Sequence, residues 1–208
     1  MEGTALINHY YTIEQPSTAE FRDRGSQFLA HAFPLQSVDD FKKRLKTLKA
    51  EHPKASHHCF AWRLGTDGNN YRSSDDGEPS GTAGRPILGQ IDSRELTDAG
   101  LIVVRYFGGA LLGVPGLINA YKTSASLALQ LTPIIRKPVL VYYELEYDYT
   151  LVNDIMMVVK RFGCTVGKNE MQLFCRMLLG IPREVLEPCV SKLKDLHGVS
   201  VTLAALNG

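Results

Sequence analysis

The stretch SSDDGEPSGTAG, from residue 73 to residue 84, places three carboxylates beside a run of small residues. Asp75, Asp76 and Glu78, called here the acidic loop, have oxygens that suit Mg²⁺ or a general acid and base. The alternative is internal pairing, in which the carboxylates accept hydrogen bonds from loop N–H groups and from Arg72 or Arg85. One hypothesis is therefore a metal-dependent hydrolase or phosphoryl-handling enzyme, with Mg²⁺ as the only cofactor that the sequence suggests.

Two glycine-rich loops, SGTAGRP and FGGALLGVPG, each lead into a predicted helix. Glycine lets backbone N–H groups approach an anion, and a helix N-terminus adds partial positive charge, so each loop is a candidate anion site. An arginine can complete such a site with two parallel hydrogen bonds. The candidate ligand-binding residues are His57, Ser80, Gly81, Thr82, Gly84, Arg85, Arg105, Tyr106, Gly108, Gly109, Gly113, Tyr121 and Lys122.

The anion-site interpretation competes with simple turn geometry. Neither loop matches the phosphate loop G-x-x-x-x-G-K-[ST] or the dinucleotide motif G-x-G-x-x-G. The chain also has no G-x-S-x-G elbow and no H-E-x-x-H motif. Ser80 and Thr82 offer hydroxyls, but the sequence places no base beside them. No catalytic residue is assigned, and a non-catalytic role is favoured.

Two adjacent histidines, His57 and His58, lie in a predicted strand over residues 57–64. Neighbours on a strand face opposite sides of the sheet, so the pair is not expected to share one metal ion. We expect one of them in the site and the other packed in the interior.

Composition is that of a soluble globular protein. The 208 residues are 44% hydrophobic and 22% charged, with a formal net charge of +1. With so small a net charge, the protein as a whole is not attracted to nucleic acid or to an anionic membrane, so any such binding must come from a local patch. No apolar run approaches the roughly 20 residues of a membrane helix, and residues 1–10 show no export signal, which predicts a cytoplasmic protein. The basic run FKKRLKTLKAEH fits the solvated face of a helix, with a partner-binding patch as the alternative.

The chain alternates strands and helices in two halves. The first half has predicted strands at 26–35, 57–64 and 101–107, and predicted helices from Ser37 to about Glu51, from Pro86, and from Pro115 to about Gln130. The stretch IIRK between Pro133 and Pro138 is a predicted linker. The second half reads βαββαβ, with its two middle strands around 165–169 and 172–181. We predict a two-domain α+β protein with boundaries 1–135 and 136–208.

Four stretches resemble the IMPACT family, whose bacterial members are called YigZ. SDDGEPSGTAGRPIL and VVRYFGGALLGVPGLINAY resemble its two signature stretches, and RDRGSQFLAHAFPL and HPKASHHCFAW resemble its opening strand and its histidine strand. The resemblance covers about residues 10–132. It implies an N-terminal domain like the second domain of small-subunit ribosomal protein five, and a ferredoxin-like C-terminal domain resembling the last domain of elongation factor G.

The same resemblance suggests a function. Eukaryotic IMPACT proteins regulate translation by protein binding, so RNA, the ribosome or a translation-related protein is the expected partner. The chain departs from the family pattern at Leu111, Asn119 and Gln27, where cations are frequent. These departures weaken the phosphate-binding interpretation. The candidate cations that remain are Arg85, Arg105 and Lys122.

Overall fold

The computed structural model describes residues 7–170 and 174–205, and the chain divides into two compact units. One unit is Tyr10–Lys137, and the other is Pro138–Gly208 with Met1–His9. In chain order the elements are β1 (His9–Ile13), β2 (Ser17–Asp23), β3 (Ser26–Pro34), α1 (Val38–Glu51), β4 (His57–Leu64), β5 (Asn70–Ser74), α2 (Gly84–Asp92), β6 (Ala99–Tyr106), α3 (Gly113–Gln130), β7 (Ile134–Pro138), β8 (Leu140–Asp148), α4 (Val152–Phe162), β9 (Thr165–Glu170), β10 (Phe174–Pro182), α5 (Leu186–Lys194) and β11 (Ser200–Leu203).

The first unit is built on a five-stranded antiparallel sheet in the order β2-β3-β6-β4-β5. Helices α2 and α3 cover one face, and α1 covers the other. Strand alternation divides the core residues between the two faces. On β6, Leu101 and Val103 face α2 and α3, while Ile102 and Val104 face α1. The sheet is thus buried on both sides, and its side-chain period decides which residues reach each helix.

Helix α1 begins as predicted. The Ser37 side chain accepts a hydrogen bond from the Asp40 N–H at 3.1 Å, which caps the helix. Helices α2 and α3 begin at Gly84 and Gly113, each two residues before the proline at which we expected a start. The first-turn N–H groups have no partner within the helix, so proline is tolerated throughout that turn and does not mark its first residue.

The second unit has the predicted βαββαβ order. Its four strands lie in the order β11-β8-β10-β9, and β10 is antiparallel to both β8 and β9. Leu145, Ile155 and Leu179 are fully buried between this sheet and the helices α4 and α5. The predicted start of one strand at residue 172 lies outside the described residues. The two-domain α+β fold class is confirmed.

Several strands were missed because they carry polar side chains at an edge. Strands β2 and β5 form the two edges of the first sheet, and five-residue β5 (NYRSS) has no fully buried residue. The predicted linker ends where the two units divide, but its residues form a strand, β7, which pairs with β1. Short strands with charges and prolines resemble loops in sequence. Among the described residues, no helix is long and apolar enough to cross a membrane.

Candidate functional site

The N-terminus of α2 is occupied by a carboxylate of the chain itself. Asp75 accepts hydrogen bonds from the N–H groups of Gly81 at 2.9 Å, Ala83 at 3.0 Å and Gly84 at 2.8 Å. Burial alone would raise the pKa of Asp75, but these donors and Arg85 lower it below its ordinary value of 3.8. The donors that we expected to face an external anion therefore already have an internal one.

Glu78 lies two residues before the first glycine-rich loop and contacts two residues that flank the second, Arg105 and Tyr121. One of its carboxylate oxygens accepts hydrogen bonds from Arg105 Nη1 at 2.6 Å and from the Tyr121 hydroxyl at 2.7 Å. His57 Nε2 lies 3.8 Å from the same oxygen. The side chains of Glu78 and Arg105 are only 3% and 6% exposed. Residues that flank the two loops thus meet in a buried ion pair, so Arg105 is not accessible to an external anion.

Strand register places Arg105 beside its neighbours in this site. Arg105 on β6 lies opposite His57 on β4 and opposite Phe28 on β3, on the face covered by α2 and α3. Its guanidinium carbon is 5.4 Å from the centre of the Phe28 ring. The Tyr121 ring packs edge-on against the same ring, at 5.1 Å between centroids. Stacking and the ion pair together hold the buried guanidinium.

Asp76 points away from the other two carboxylates. Its side chain accepts a hydrogen bond from the His58 N–H at 2.7 Å and one from Lys49 Nζ at 3.3 Å, while its carbonyl oxygen bonds His57 Nδ1 at 2.8 Å. The three carboxylates of the acidic loop thus accept hydrogen bonds from three separate sets of donors. In the described ranges, no three His, Cys, Asp or Glu residues are grouped to hold a metal.

This geometry corresponds to the internal-pairing alternative with one correction. The arginine that hydrogen-bonds a carboxylate of the acidic loop is Arg105, on Glu78, and not Arg72 or Arg85 as predicted; Arg85 acts on Asp75 through its charge. Strand β5 holds Arg72 as an exposed residue of the sheet edge, and Arg85 is exposed on the first turn of α2. The alternative of a Mg²⁺ site in the acidic loop is a hypothesis that a metal titration tests.

The buried hydroxyl and thiol groups of the site are held as proton donors. Cys59 Sγ lies 3.0 Å from the Asp75 carbonyl oxygen and 3.3 Å from the Tyr121 hydroxyl. Burial raises the pKa of both Cys59 and Tyr121 far above their ordinary values. Thr82 is also buried, and its hydroxyl donates to the Pro79 carbonyl at 2.7 Å. A buried protonated thiol is not a nucleophile, so these residues supply structure and no activated attacking group.

The second glycine-rich loop packs against the turn between β2 and β3. A Cβ on Gly108 would lie 1.9 Å from the carbonyl carbon of Gly25, so the two backbones are in direct contact. Ser26 Oγ accepts hydrogen bonds from the Gly108 N–H at 3.2 Å and from Arg105 Nη2 at 3.3 Å. Sequence reasoning missed Gly25 and Ser26 as site residues. The sequence R-G-S inside RDRGSQF indicates a turn, but only the pairing of the strands shows that this turn lies next to Arg105 and Gly108.

Five predicted ligand residues prove to be inaccessible or to face elsewhere: Thr82, Gly84, Arg105 and Tyr121 are buried, and Tyr106 lies on the other face of the sheet. Tyr106 is on the α1 side of the sheet, because it alternates with Arg105 along β6, and its hydroxyl lies 2.8 Å from His52 Nδ1. Tyr121 is fully buried against the sheet. The predicted site residues that remain exposed are Ser80, Arg85, Gly108, Gly109, Gly113 and Lys122.

His57 and His58 divide as expected. His57 is partly exposed at the edge of the Glu78 cluster, and His58 is buried towards α1. Burial lowers the pKa of His58, and the positive charge of Lys49 lowers it further. A neutral, packed histidine is therefore the role of His58.

Comparison with known proteins identifies the family. The model of the Impact N-terminal domain matches residues 24–129. The chain is 32% identical over 193 residues to the IMPACT family member YigZ of Escherichia coli (strain K12), covering 92% of this chain and 95% of that protein. It is 36% identical over 108 residues to the protein IMPACT homolog of Saccharomyces cerevisiae, covering 50% of this chain and 40% of that protein.

A solved structure agrees with these matches. The crystal structure of a hypothetical protein superposes with a TM-score of 0.75 and 29% sequence identity, and the alignment covers 97% of this chain and all of that one. With the match to the family model and the near full-length similarity to YigZ, the chain belongs to the IMPACT family.

Proposed function

We propose that this protein is a non-catalytic binding protein that acts in translation or in its stress regulation. The observation that carries the proposal is that the groups suited to chemistry already have internal partners. Asp75 binds loop N–H groups, Glu78 binds Arg105, and Cys59 is buried and protonated. Together these contacts brace the two glycine-rich loops, which is what a binding face requires.

The binding face we propose is the second glycine-rich loop with the first turns of α3. Gly108, Gly109 and Gly113 are exposed there, and so are the positively charged side chains of Arg85 on α2 and Lys122 on α3. The N-terminus of α3 has no side-chain cap, so its partial positive charge adds to these cations. A negatively charged surface on the ribosome, on RNA or on a translation-related protein is complementary to this face.

Membership of the IMPACT family supports the translational part of the proposal. The resemblance described above links eukaryotic members to translational control through protein binding, and the yeast relative bears the family name. The alternative of a metal-dependent hydrolase finds no support in the geometry, because the three carboxylates of the acidic loop diverge.

Co-sedimentation with ribosomes over a salt series tests the proposal, with filter binding to structured RNA as a second readout. We expect association at low salt that weakens as salt rises, because counterion release drives contacts to phosphate. The double variant Arg85→Gln/Lys122→Gln should bind less, and Lys46→Gln, which removes an exposed cation on α1, serves as the matched control. Absence of association at low salt would refute the proposal.

A further inference from the structure

Four apolar side chains on the second glycine-rich loop and the start of α3 are exposed to solvent. Phe107 is 49% exposed, Leu111 83%, Val114 52% and Ile118 38%. We call these four residues the apolar face. Isolated exposed apolar residues are common on proteins, but four between residues 107 and 118 favour an interaction surface.

The fold holds the apolar face in place. Leu112, between the exposed Leu111 and the helix, is buried and anchors the loop to the core. Val114 and Ile118 are four residues apart on α3 and so lie on the same side of the helix. Leu117 and Tyr121, on the adjoining stripe of α3, pack against the sheet and so fix the orientation of the helix. The apolar face is thus rigidly supported.

A groove between α2 and α3 continues from this face. Its volume is about 590 Å³, and its lining includes Pro86, Gly89, Ile118 and Lys122. A Cβ added to Gly89 would meet no atom within 4 Å, so the absent side chain at this position leaves the groove open. Ile118 belongs both to the groove and to the apolar face, which makes the two one continuous surface.

The charge of this groove is positive. Arg94 and Lys122 line it, and no carboxylate does. The hydrogen-bond acceptors of Arg94 are neutral groups of Gln90 and Ser126. Helix α3 has no acidic residue along its length. An occupant that offers carboxylates beside an apolar stripe is complementary in both respects.

We propose that the apolar face and this groove dock an amphipathic helix of a partner protein, one that carries acidic residues beside its apolar stripe. The proposal rests on the binding function proposed above and specifies the partner. Apolar residues spaced along one side of such a helix contact Leu111, Val114 and Ile118, as in other helix-in-groove complexes. Its carboxylates contact Arg94 and Lys122 at the rim, where opposite charges favour encounter and orientation.

Synthetic peptides test the proposal on the full-length protein. The probe is a fluorescent amphipathic peptide of about 18 residues, or five helical turns, with leucines on one side and glutamates flanking them. Two controls have lysines in place of the glutamates or the same residues in scrambled order. In fluorescence anisotropy we expect the acidic peptide to bind at least about tenfold more tightly than either control, a difference expected of complementary charge and shape together.

Variants locate the binding. Leu111→Gln and Lys122→Gln should each weaken binding of the acidic peptide by about fivefold or more, and Lys122→Gln should also reduce its salt dependence. Leu131→Gln, at the other end of α3 where the leucine is 61% exposed, should bind as the unchanged protein does. Trp62, buried in the same unit, reports through its fluorescence whether each variant is folded.

Equal binding of all three peptides, or unchanged binding by Leu111→Gln, would overturn the proposal. So would a dimer that Leu111→Gln dissociates, since a second copy of the chain would then be the occupant of the surface. The result is separable from the ribosome test. Peptide binding without ribosome association rejects the translational function alone, and ribosome association without selective peptide binding rejects the acidic helix alone.

Discussion

Replacing Glu78 by glutamine removes the charge that balances Arg105 inside the first unit. The carboxylate is 3% exposed, and the guanidinium is 6% exposed. After the change the positive charge of Arg105 stays buried between the rings of Phe28 and Phe107 without a counter-ion. The amide oxygen can still accept both hydrogen bonds, so Tyr121 keeps its partner, while Arg105 exchanges a charged acceptor for a neutral one.

The magnitude follows from the burial of both partners. Removing one member of a buried ion pair costs about 3–5 kcal/mol, because the remaining charge is desolvated and unpaired. Since glutamine preserves shape and one acceptor, we expect the lower end, a loss of about 3 kcal/mol in the free energy of unfolding. This is a large part of the roughly 5–15 kcal/mol that stabilises a typical domain.

The single tryptophan makes the assay specific to this unit. Trp62 is 5% exposed on β4, so its fluorescence in a urea titration reports unfolding of the unit that contains Glu78. The matched control is Asp92→Asn, which breaks an ion pair with Arg63 where the aspartate side chain is 43% exposed. An exposed pair of this kind is worth about 1 kcal/mol or less.

Equal effects would refute the reasoning. If Glu78→Gln costs no more than Asp92→Asn, the buried pair does not brace the loops as we describe. A double-mutant cycle with Arg105→Met sharpens the result, because it isolates the coupling between the two side chains. We expect the double variant to be more stable than Glu78→Gln alone, since it no longer buries an unpaired charge.

Three further predictions concern the backbone, the histidines and metal. In urea unfolding, Gly108→Ala should destabilise the first unit by about 2 kcal/mol or more, because the added Cβ meets the Gly25 backbone. Gly89→Ala is the control: its Cβ meets no atom within 4 Å, so the change should be neutral or stabilise the unit by about 0.5–1 kcal/mol. Burial lowers the pKa of His31 and of His58 from 6.5, so near this pH the folded protein binds fewer protons at these residues than the unfolded chain does. The free energy of unfolding should therefore be highest above pH 6.5 and decrease as the pH falls below it. His31→Asn should make this pH dependence weaker. Millimolar Mg²⁺ should leave the melting temperature unchanged because the acidic loop is internally paired; an increase would show that the metal binds the folded state.

Local sequence patterns were sufficient for elements whose structure is decided locally. The period of two in HHCFAW correctly divides Cys59 and Ala61 from Phe60 and Trp62 between the two faces of the sheet. The Ser37 cap and the βαββαβ order of the second unit were likewise predicted, because capping and hydrophobic periodicity involve residues close in the chain. Edge strands were missed because one side of such a strand needs no apolar residues.

The site was only partly predictable because its contacts are distant in sequence. Arg105 reaches Glu78 across 27 residues, and Tyr121 reaches it across 43. Which arginine pairs with the acidic loop is decided by the register of β3, β6 and β4, which no local pattern specifies. The role of Ser26 depends on the same register, since Gly108 approaches it only in the folded sheet.

Amide hydrogen exchange at the start of α2, measured residue by residue with NMR, tests the central claim most directly. The claim is that the chain's own carboxylate occupies the donors of the first glycine-rich loop. We predict that the N–H groups of Gly81, Ala83 and Gly84 are protected, that inorganic phosphate leaves them unchanged, and that Asp75→Ala, which removes the acceptor oxygens, removes their protection. Rapid exchange that phosphate suppresses would contradict the account, because it would mean that this loop is an open anion site.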